Sequence, residues 1–258
     1  MDDGAKNLAM SLEMARMACA DGITTIACTP HIQRTVYDND GPSIHAAVGA
    51  LQRALEENKI PLRLVAGADI HVDPELTTAL GDGRALTLNA SRYLLLEPPH
   101  HVLPPNLEDH IFNLHATGYI AIITHPERMT WIDANYSLLE RLVHNGAWMQ
   151  LTAGSITGRF GRRPKYWSER ILKEGLCHLI ATDAHNTRGR PPFLAEARQA
   201  AANWVGDREA TNLVVTRPQG IIDDVDPAGL PALPESRSHQ GRSTSGWRRF
   251  LRRATGKG

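Results

Sequence analysis

Charge of one sign is not in excess in this chain of 258 residues: 28 lysines and arginines balance 28 aspartates and glutamates. Nothing global therefore argues for nucleic acid or an acidic surface as partner. Cysteine is scarce, with Cys19, Cys28 and Cys177 alone and no C-x-x-C spacing. An odd count without a pairing pattern excludes a disulfide framework and fits a reducing cytoplasm. Cys28 reads as a small buried strand residue rather than a nucleophile. No stretch approaches the ~20 apolar residues of a membrane span. The N-terminus opens on Asp2-Asp3, with no basic and then apolar segment, so no signal peptide is read. These absences together place the expected location in the cytoplasm.

What is present is an alternation of helical and strand patterns. Helices are predicted over Ala5–Ala20, from an N-cap at Ser43 through Leu55, near Pro74–Leu80, and over Leu107–Ala116, Tyr136–His144, Tyr166–Lys173 and Pro192–Trp204. Between them lie six nearly continuous apolar runs: Ile23–Cys28, Leu62–Ala66, Tyr93–Leu96, Tyr119–Ile123, Trp148–Thr152 and His178–Ala181. Continuous apolar strands point to a parallel sheet covered on both faces, an α/β fold. A β/α barrel is the leading architecture and a doubly wound open sheet the alternative. From about Asp223 the composition shifts to Pro, Ser, Gly and Arg and ends in Gly246-Trp247-Arg248-Arg249-Phe250-Leu251-Arg252-Arg253. This divides the chain into a domain over 1–222 and a disordered basic tail over 223–258. Such a tail could touch an anionic membrane surface, although a solvated tail without a partner is the simpler reading.

Chemistry gathers just beyond the strands. His31 follows the first run, Asp69 the second and Glu97 the third. His125 and Arg128 follow the fourth, and Asp183 and His185 follow the last. In parallel barrels functional residues sit at the C-terminal strand ends. Hard carboxylate oxygens together with imidazoles suit Mn, Fe or Zn. An isolated buried charge at Glu97 would be too costly unless paired or coordinating. Arg128 and Arg190 lie close after these donors, and guanidinium grips phosphoryl oxygens in a bidentate way.

The order and spacing of these motifs resemble the bacterial manganese-dependent protein-tyrosine phosphatases of capsule and exopolysaccharide synthesis, in the polymerase-and-histidinol-phosphatase superfamily. The residues carrying the match are Asp2-Asp3-Gly4, Thr29-Pro30-His31, Gly67-Ala68-Asp69, Leu96-Glu97, His125-Pro126-Glu127-Arg128, Asp183-Ala184-His185-Asn186 and Gly189-Arg190-Pro191. The resemblance implies a distorted seven-stranded parallel β/α barrel holding two or three metals, Mn2+ first, with Fe or Zn as alternatives. It makes Asp3, His31, Asp69, Glu97, His125, Asp183 and His185 metal ligands, and Arg128 and Arg190 the phosphate-gripping pair. It points to a tyrosine-phosphorylated protein, a bacterial tyrosine kinase of polysaccharide export, as substrate. The oligomeric state is left open.

Two departures from the pattern stand out. The family usually begins with a strand bearing Asp-x-His-x-His, and here Met1 directly precedes Asp2-Asp3-Gly4. A start codon assigned too far downstream is the expected explanation, with the strand at Ile23–Cys28 facing the gap. Asp69 stands where glutamate is common, with a shorter reach. Asp3, beside the chain start, is expected to fray. His100 shows no partner spacing and is expected to be structural or superficial, and His71 likewise lies outside the ligand set. The Arg159–Arg163 loop is read as a solvated basic loop or a seat for an acidic peptide. The expected reaction is hydrolysis of a phosphomonoester by hydroxide; no Cys-x5-Arg loop is read, so a phosphocysteine intermediate is not expected. A histidinol-phosphate-type phosphatase and a non-catalytic remnant are the competing readings.

Overall fold

The computed structural model describes residues 1–234. Eight strands form, because two of the predicted runs each continue into a second short strand. β1 (Thr25–Cys28) is followed by β2 (His31–Ile32), and β3 (Arg63–Ala66) by β4 (Asp69–His71). The remaining strands are β5 (Tyr93–Glu97), β6 (Ile120–Thr124), β7 (Trp148–Thr152) and β8 (Leu179–Ala181). All pair in parallel, β1 with β3 and the others in the order β2-β4-β5-β6-β7-β8. The break in both ladders has a local cause. Pro30 has no N–H to donate. Gly67 passes so close to its neighbours that a Cβ there would meet Leu88 at 2.8 Å and Thr29 at 3.2 Å.

The sheet closes on itself. Lying flat, six strands about 4.8 Å apart would hold their edges more than ~20 Å from each other. Yet the ring of His31 on edge strand β2 lies 6.5 Å from that of His185, just beyond edge strand β8. The architecture is therefore a parallel barrel whose open side lies between β2, the continuation of β1, and β8.

Strand periodicity divides the core. Leu94, Leu96, Ala121, Ile123, Met149, Leu151 and Ile180 face the outer layer of helices. Tyr93, Leu95, Ile120, Ile122, Trp148 and Leu179 fill the interior. Each such buried side chain contributes ~1.5–3 kcal/mol. Side chains two apart share a face, so Glu97, Thr124 and Thr152 continue the inward-facing rows above this apolar plug.

Local signals set the helix ends. α1 (Leu8–Ala20) starts at an Asn7 cap, and α2 (Gly41–Glu57) is capped by Asp40, with Ser43 three residues inside as its reciprocal partner. The cap thus precedes Ser43: the aspartate accepts from the Ser43 N–H and the serine hydroxyl accepts from the Asp40 N–H. α3 (Leu76–Gly81), α4 (Leu107–Ala116), α5 (Ile132–His144), the short α6 (Ala153–Ile156), α7 (Arg162–Lys173) and α8 (Ala195–Val205) follow. A further helical segment, α9 (Asp207–Thr211), a π-turn and α10 (Arg217–Ile222), was not legible in the sequence. Its anchor is Arg217, fully buried, which pairs with Glu209 at 2.7 Å and donates to the carbonyls of His178, Pro231 and Ala232.

The composition change at Asp223 does not end the packed region. Asp224 pairs with Arg92, and Tyr93 Oη donates to the Val225 carbonyl at 2.7 Å. Residues 235–258 of the predicted tail, with the Gly246–Arg253 basic end, lie outside the described residues. Among the described residues no helix is long and apolar enough to cross a membrane.

His178 gives the fold an acid sensitivity. It is buried, stacks on Trp148 at 4.7 Å and accepts a hydrogen bond from the Met149 N–H through Nδ1. Burial, helped by the Arg217 guanidinium, pushes its pKa down to about 3. The unfolded chain takes up this proton near pH 6.5 while the folded chain refuses it. Stability is thus retained above pH 6.5 and falls by about 1.4 kcal/mol per pH unit as pH drops toward 3. Urea unfolding of His178→Gln should show a shallower loss between pH 6 and 4 than the parent chain; parallel curves would exclude this role.

Candidate metal centre

The inward rows bring the predicted donors to one bowl at the C-terminal end of the barrel. Glu97, the last residue of β5, is its hub. Its Oε2 lies 3.3 Å from His31 Nδ1, and its Oε1 lies 3.2 Å from His125 Nε2 and 3.4 Å from His100 Nε2. Burial works to raise the Glu97 pKa, but hydrogen bonds from His100, His125 and His31 outweigh it and hold the carboxyl well below the usual range. The same contact with Glu97 pushes His31 up to about 9. Asp69, on β4 beside β5, gathers with His31 and Glu97 and lies 3.5 Å from the Thr124 hydroxyl. Burial and the neighbouring Glu97 carboxylate raise Asp69 well above its ordinary pKa.

A second group forms across the open side of the barrel. Asp3 Oδ1 lies 3.2 Å from His185 Nε2 and 3.8 Å from His31 Nε2. Contrary to the expected fraying, Asp2 ties this segment down, its carboxylate accepting from the N–H groups of His31 and Gly4. His185 Nδ1 lies 3.0 Å from the Asp183 carbonyl, so its Nε2 faces Asp3.

Asp183 joins the arginines to the bowl. Its Oδ2 accepts from Arg128 Nη1 at 2.9 Å and also from Arg190. Arg190 Nη1 is 4.0 Å from Asp3. The Arg190 loop is shaped by Asn186, whose Oδ1 accepts from the N–H groups of Arg188, Gly189 and Arg190. His125 and Asp183 both adopt positive φ, 36° and 50°, one and two residues beyond their strands. Such strain persists only where the surroundings hold it, and it clusters at functional sites.

All nine residues singled out in the sequence meet here through these contacts. Three neighbours had no site role assigned from the sequence. His100 is part of the bowl, not a surface residue: Pro98-Pro99 turns the chain so that its imidazole returns to Glu97. Glu127 is fully buried, accepts from the Thr152 N–H at 3.0 Å and is pushed up to about 7 by burial, which fixes the turn carrying His125 and Arg128. Asn186 is the third. His71 lies outside the donor clusters among the described residues. Arg163 is engaged by Asp133 and the Met129 carbonyl, so the basic loop is in part a structural strap.

Contrary to the expected absence, Cys28 and Arg34 do carry the Cys-x5-Arg spacing of cysteine-dependent phosphatases. The structure gives it no such role. Burial pushes the Cys28 thiol up to about 11, strand β2 runs between the two residues, and Arg34 is paired with Asp73 and Glu75.

A family model described as capsular polysaccharide synthesis, CpsB/CapC, matches residues 1–223. The chain belongs to the CpsB/CapC family. The tyrosine-protein phosphatase YwqE of Bacillus subtilis (strain 168) is 40% identical over 197 residues, 76% of this chain and 78% of the relative. The tyrosine-protein phosphatase CpsB of Streptococcus pneumoniae is 26% identical over 229 residues, covering 87% and 94%. A solved structure from work on YwqE and CpsB, described as unique metal-dependent tyrosine phosphatases, superposes with a TM-score of 0.84 at 36% identity, covering 88% of this chain and 91% of the other. CpsB/CapC membership thus accounts for the fold and for the order of the strand-end motifs.

Whether the bowl suits a cation can be tested on its own atoms. Three sets of imidazole and carboxylate donors each gather within 4.8 Å: Asp3-His31-His185, Glu97-His100-His125 and His31-Asp69-Glu97. His125 Nδ1 is buried without a hydrogen-bond partner among the described residues. Shared donors of this chemistry fit divalent transition metals.

Proposed function

We propose that this protein is a metal-dependent phosphoric monoester hydrolase that removes phosphate from tyrosine, acting in capsule or exopolysaccharide synthesis. One observation carries the reading: a carboxylate shared by three imidazoles, Glu97, stands in the same bowl as two arginines that converge on one carboxylate oxygen of Asp183. Asp3, His31, Asp69, Glu97, His125, Asp183 and His185 are the proposed metal ligands, with His100 added beside Glu97. Mn2+ is the proposed ion, two or three per chain. A divalent cation held there supplies Lewis acidity and makes hydroxide available near neutral pH.

The chain's own residues do the rest. Glu97 stays ionised against burial and so keeps its three imidazoles aligned. Arg128 and Arg190 present parallel N–H donors to a phosphoryl group and neutralise its equatorial oxygens as the leaving oxygen departs. A tyrosyl phenolate, with a pKa near 10, leaves more readily than a serine alkoxide. The proposed physiological substrate is a tyrosine-phosphorylated protein, a bacterial tyrosine kinase of polysaccharide export.

The test is hydrolysis of p-nitrophenyl phosphate by the full chain with and without Mn2+. Activity should vanish after chelation and return with the metal, and metal analysis should find two or three ions per chain. Full activity in a His125→Ala, Asp183→Ala double variant would exclude the mechanism.

A further inference from the structure

We propose that the cleft beside Arg190 is the seat of the substrate's aromatic ring, with Phe160 and Phe193 as its walls and Phe193 as the residue that sets preference for aryl phosphates. This rests on the phosphatase reading. The cleft runs along Ala153, Gly154 and Thr157 on one side and Arg190, Pro191 and Phe193 on the other. Its Arg190 end belongs to the anion-gripping pair; Ala153, Phe160, Pro191 and Phe193 supply its apolar walls, and Thr157, Arg159, Thr182 and Glu196 its polar ones.

The aromatic walls are built in. Phe160 lies against Gly154 so closely that a Cβ there would come within 2.8 Å of the ring. The Arg128 guanidinium sits 5.3 Å from the centre of the same ring. Phe160 therefore touches one of the two anion-gripping arginines while lining the cleft. Phe193 is 37% exposed, a large apolar side chain left in water two residues beyond Pro191. Nothing in the core uses it. The slot itself encloses only about 10 Å³, room for one water. A phenyl ring therefore lies across its mouth, against Phe193 and beside Phe160, rather than inside it.

The occupant follows from this polarity. A ligand anionic at one end and flat and apolar at the other matches guanidinium at one end and aromatic faces at the other. An aryl phosphate has this form, whereas inorganic phosphate uses the arginine end alone. Aromatic pairs contribute enough to change affinity about three- to tenfold.

The experiment compares inhibition of p-nitrophenyl phosphate hydrolysis by phenylphosphonate and by inorganic phosphate, using the Mn-loaded full chain. In Phe193→Ala the inhibition constant for phenylphosphonate should rise about three- to tenfold while that for phosphate stays within twofold. KM for p-nitrophenyl phosphate should rise by the same factor with kcat within twofold. Phe193→Tyr, which keeps the ring, should restore both. A ratio of the two inhibition constants that does not move, or equal weakening of both inhibitors, overturns the subsite while leaving the phosphatase reading intact. A parent chain inert toward p-nitrophenyl phosphate with metal bound overturns the phosphatase reading and the subsite with it.

Discussion

Glu97→Gln should lower kcat/KM for p-nitrophenyl phosphate by on the order of 10³-fold, which is ~4 kcal/mol of lost transition-state stabilisation. The amide keeps the shape of the carboxylate and removes its charge. Three imidazoles converge on this side chain, at 3.2, 3.3 and 3.4 Å. A neutral amide cannot balance cations and can accept through only one of its two end atoms, so at least one of the three rings loses its partner. Metal analysis should show fewer bound ions per chain. Thermal unfolding should remain cooperative, because the apolar plug below Glu97 is untouched. His71→Ala serves as a control, since His71 lies outside the donor clusters, and should cost less than about threefold. A Glu97→Gln enzyme retaining more than about a tenth of its activity would remove Glu97 from the centre of the mechanism.

The legibility of this site had a simple source. Along β5, Leu94-Leu95-Leu96 announces a buried strand, and the carboxylate directly after it cannot be an ordinary surface charge. The same logic identified His125 after Ile122-Ile123 and Asp183 after Ile180-Ala181. What the pattern could not convey was chain direction after each strand. Pro98-Pro99 turns the backbone so that His100 returns to Glu97, and no periodicity predicts a contact across a proline turn. Glu127 reads as one more charged loop residue, yet a 3-10 turn buries it completely. Asp2-Asp3-Gly4 is also an ordinary turn sequence, and only the fold shows the Asp2 carboxylate reaching β2.

The strand count failed for a related reason. Apolar runs report burial, and the runs ending at Cys28 and Ala66 report it correctly. They do not report that Pro30 and the close approach at Gly67 interrupt the ladder, so that β2 and β4 join the main sheet as separate short pieces. This interruption matters for the site. It delivers His31 and Asp69 as paired neighbours on β2 and β4, in register with each other and next to β5. The helical segment after Val205 was hidden because its buried apolar residues, Ala210, Leu213 and Ile221, are few and are interrupted by Arg217, which is itself buried. A buried guanidinium satisfied by carbonyls and one carboxylate has no sequence signature.

Arg128→Lys and Arg190→Lys should each reduce kcat by about 10²–10³-fold while leaving the bound metal unchanged. This pairing of outcomes separates anion gripping from metal holding, because loss of a ligand would change both. Lysine keeps the positive charge, so a large effect would show that the forked geometry matters. Asp183 Oδ2 already draws the two guanidiniums together, accepting one N–H from each. Two cations that converge on one carboxylate oxygen can converge equally on a phosphoryl oxygen, the more highly charged acceptor. The double Lys variant should lose less than the product of the two single effects, since both arginines act on one group and removing either already weakens the other's role. Inorganic phosphate should also inhibit both single variants more weakly. Steady-state kinetics with metal analysis on the same samples would check all three expectations. Loss of metal in parallel with kcat would instead make the arginines supports of Asp183, whose carboxylate would then be the group that matters.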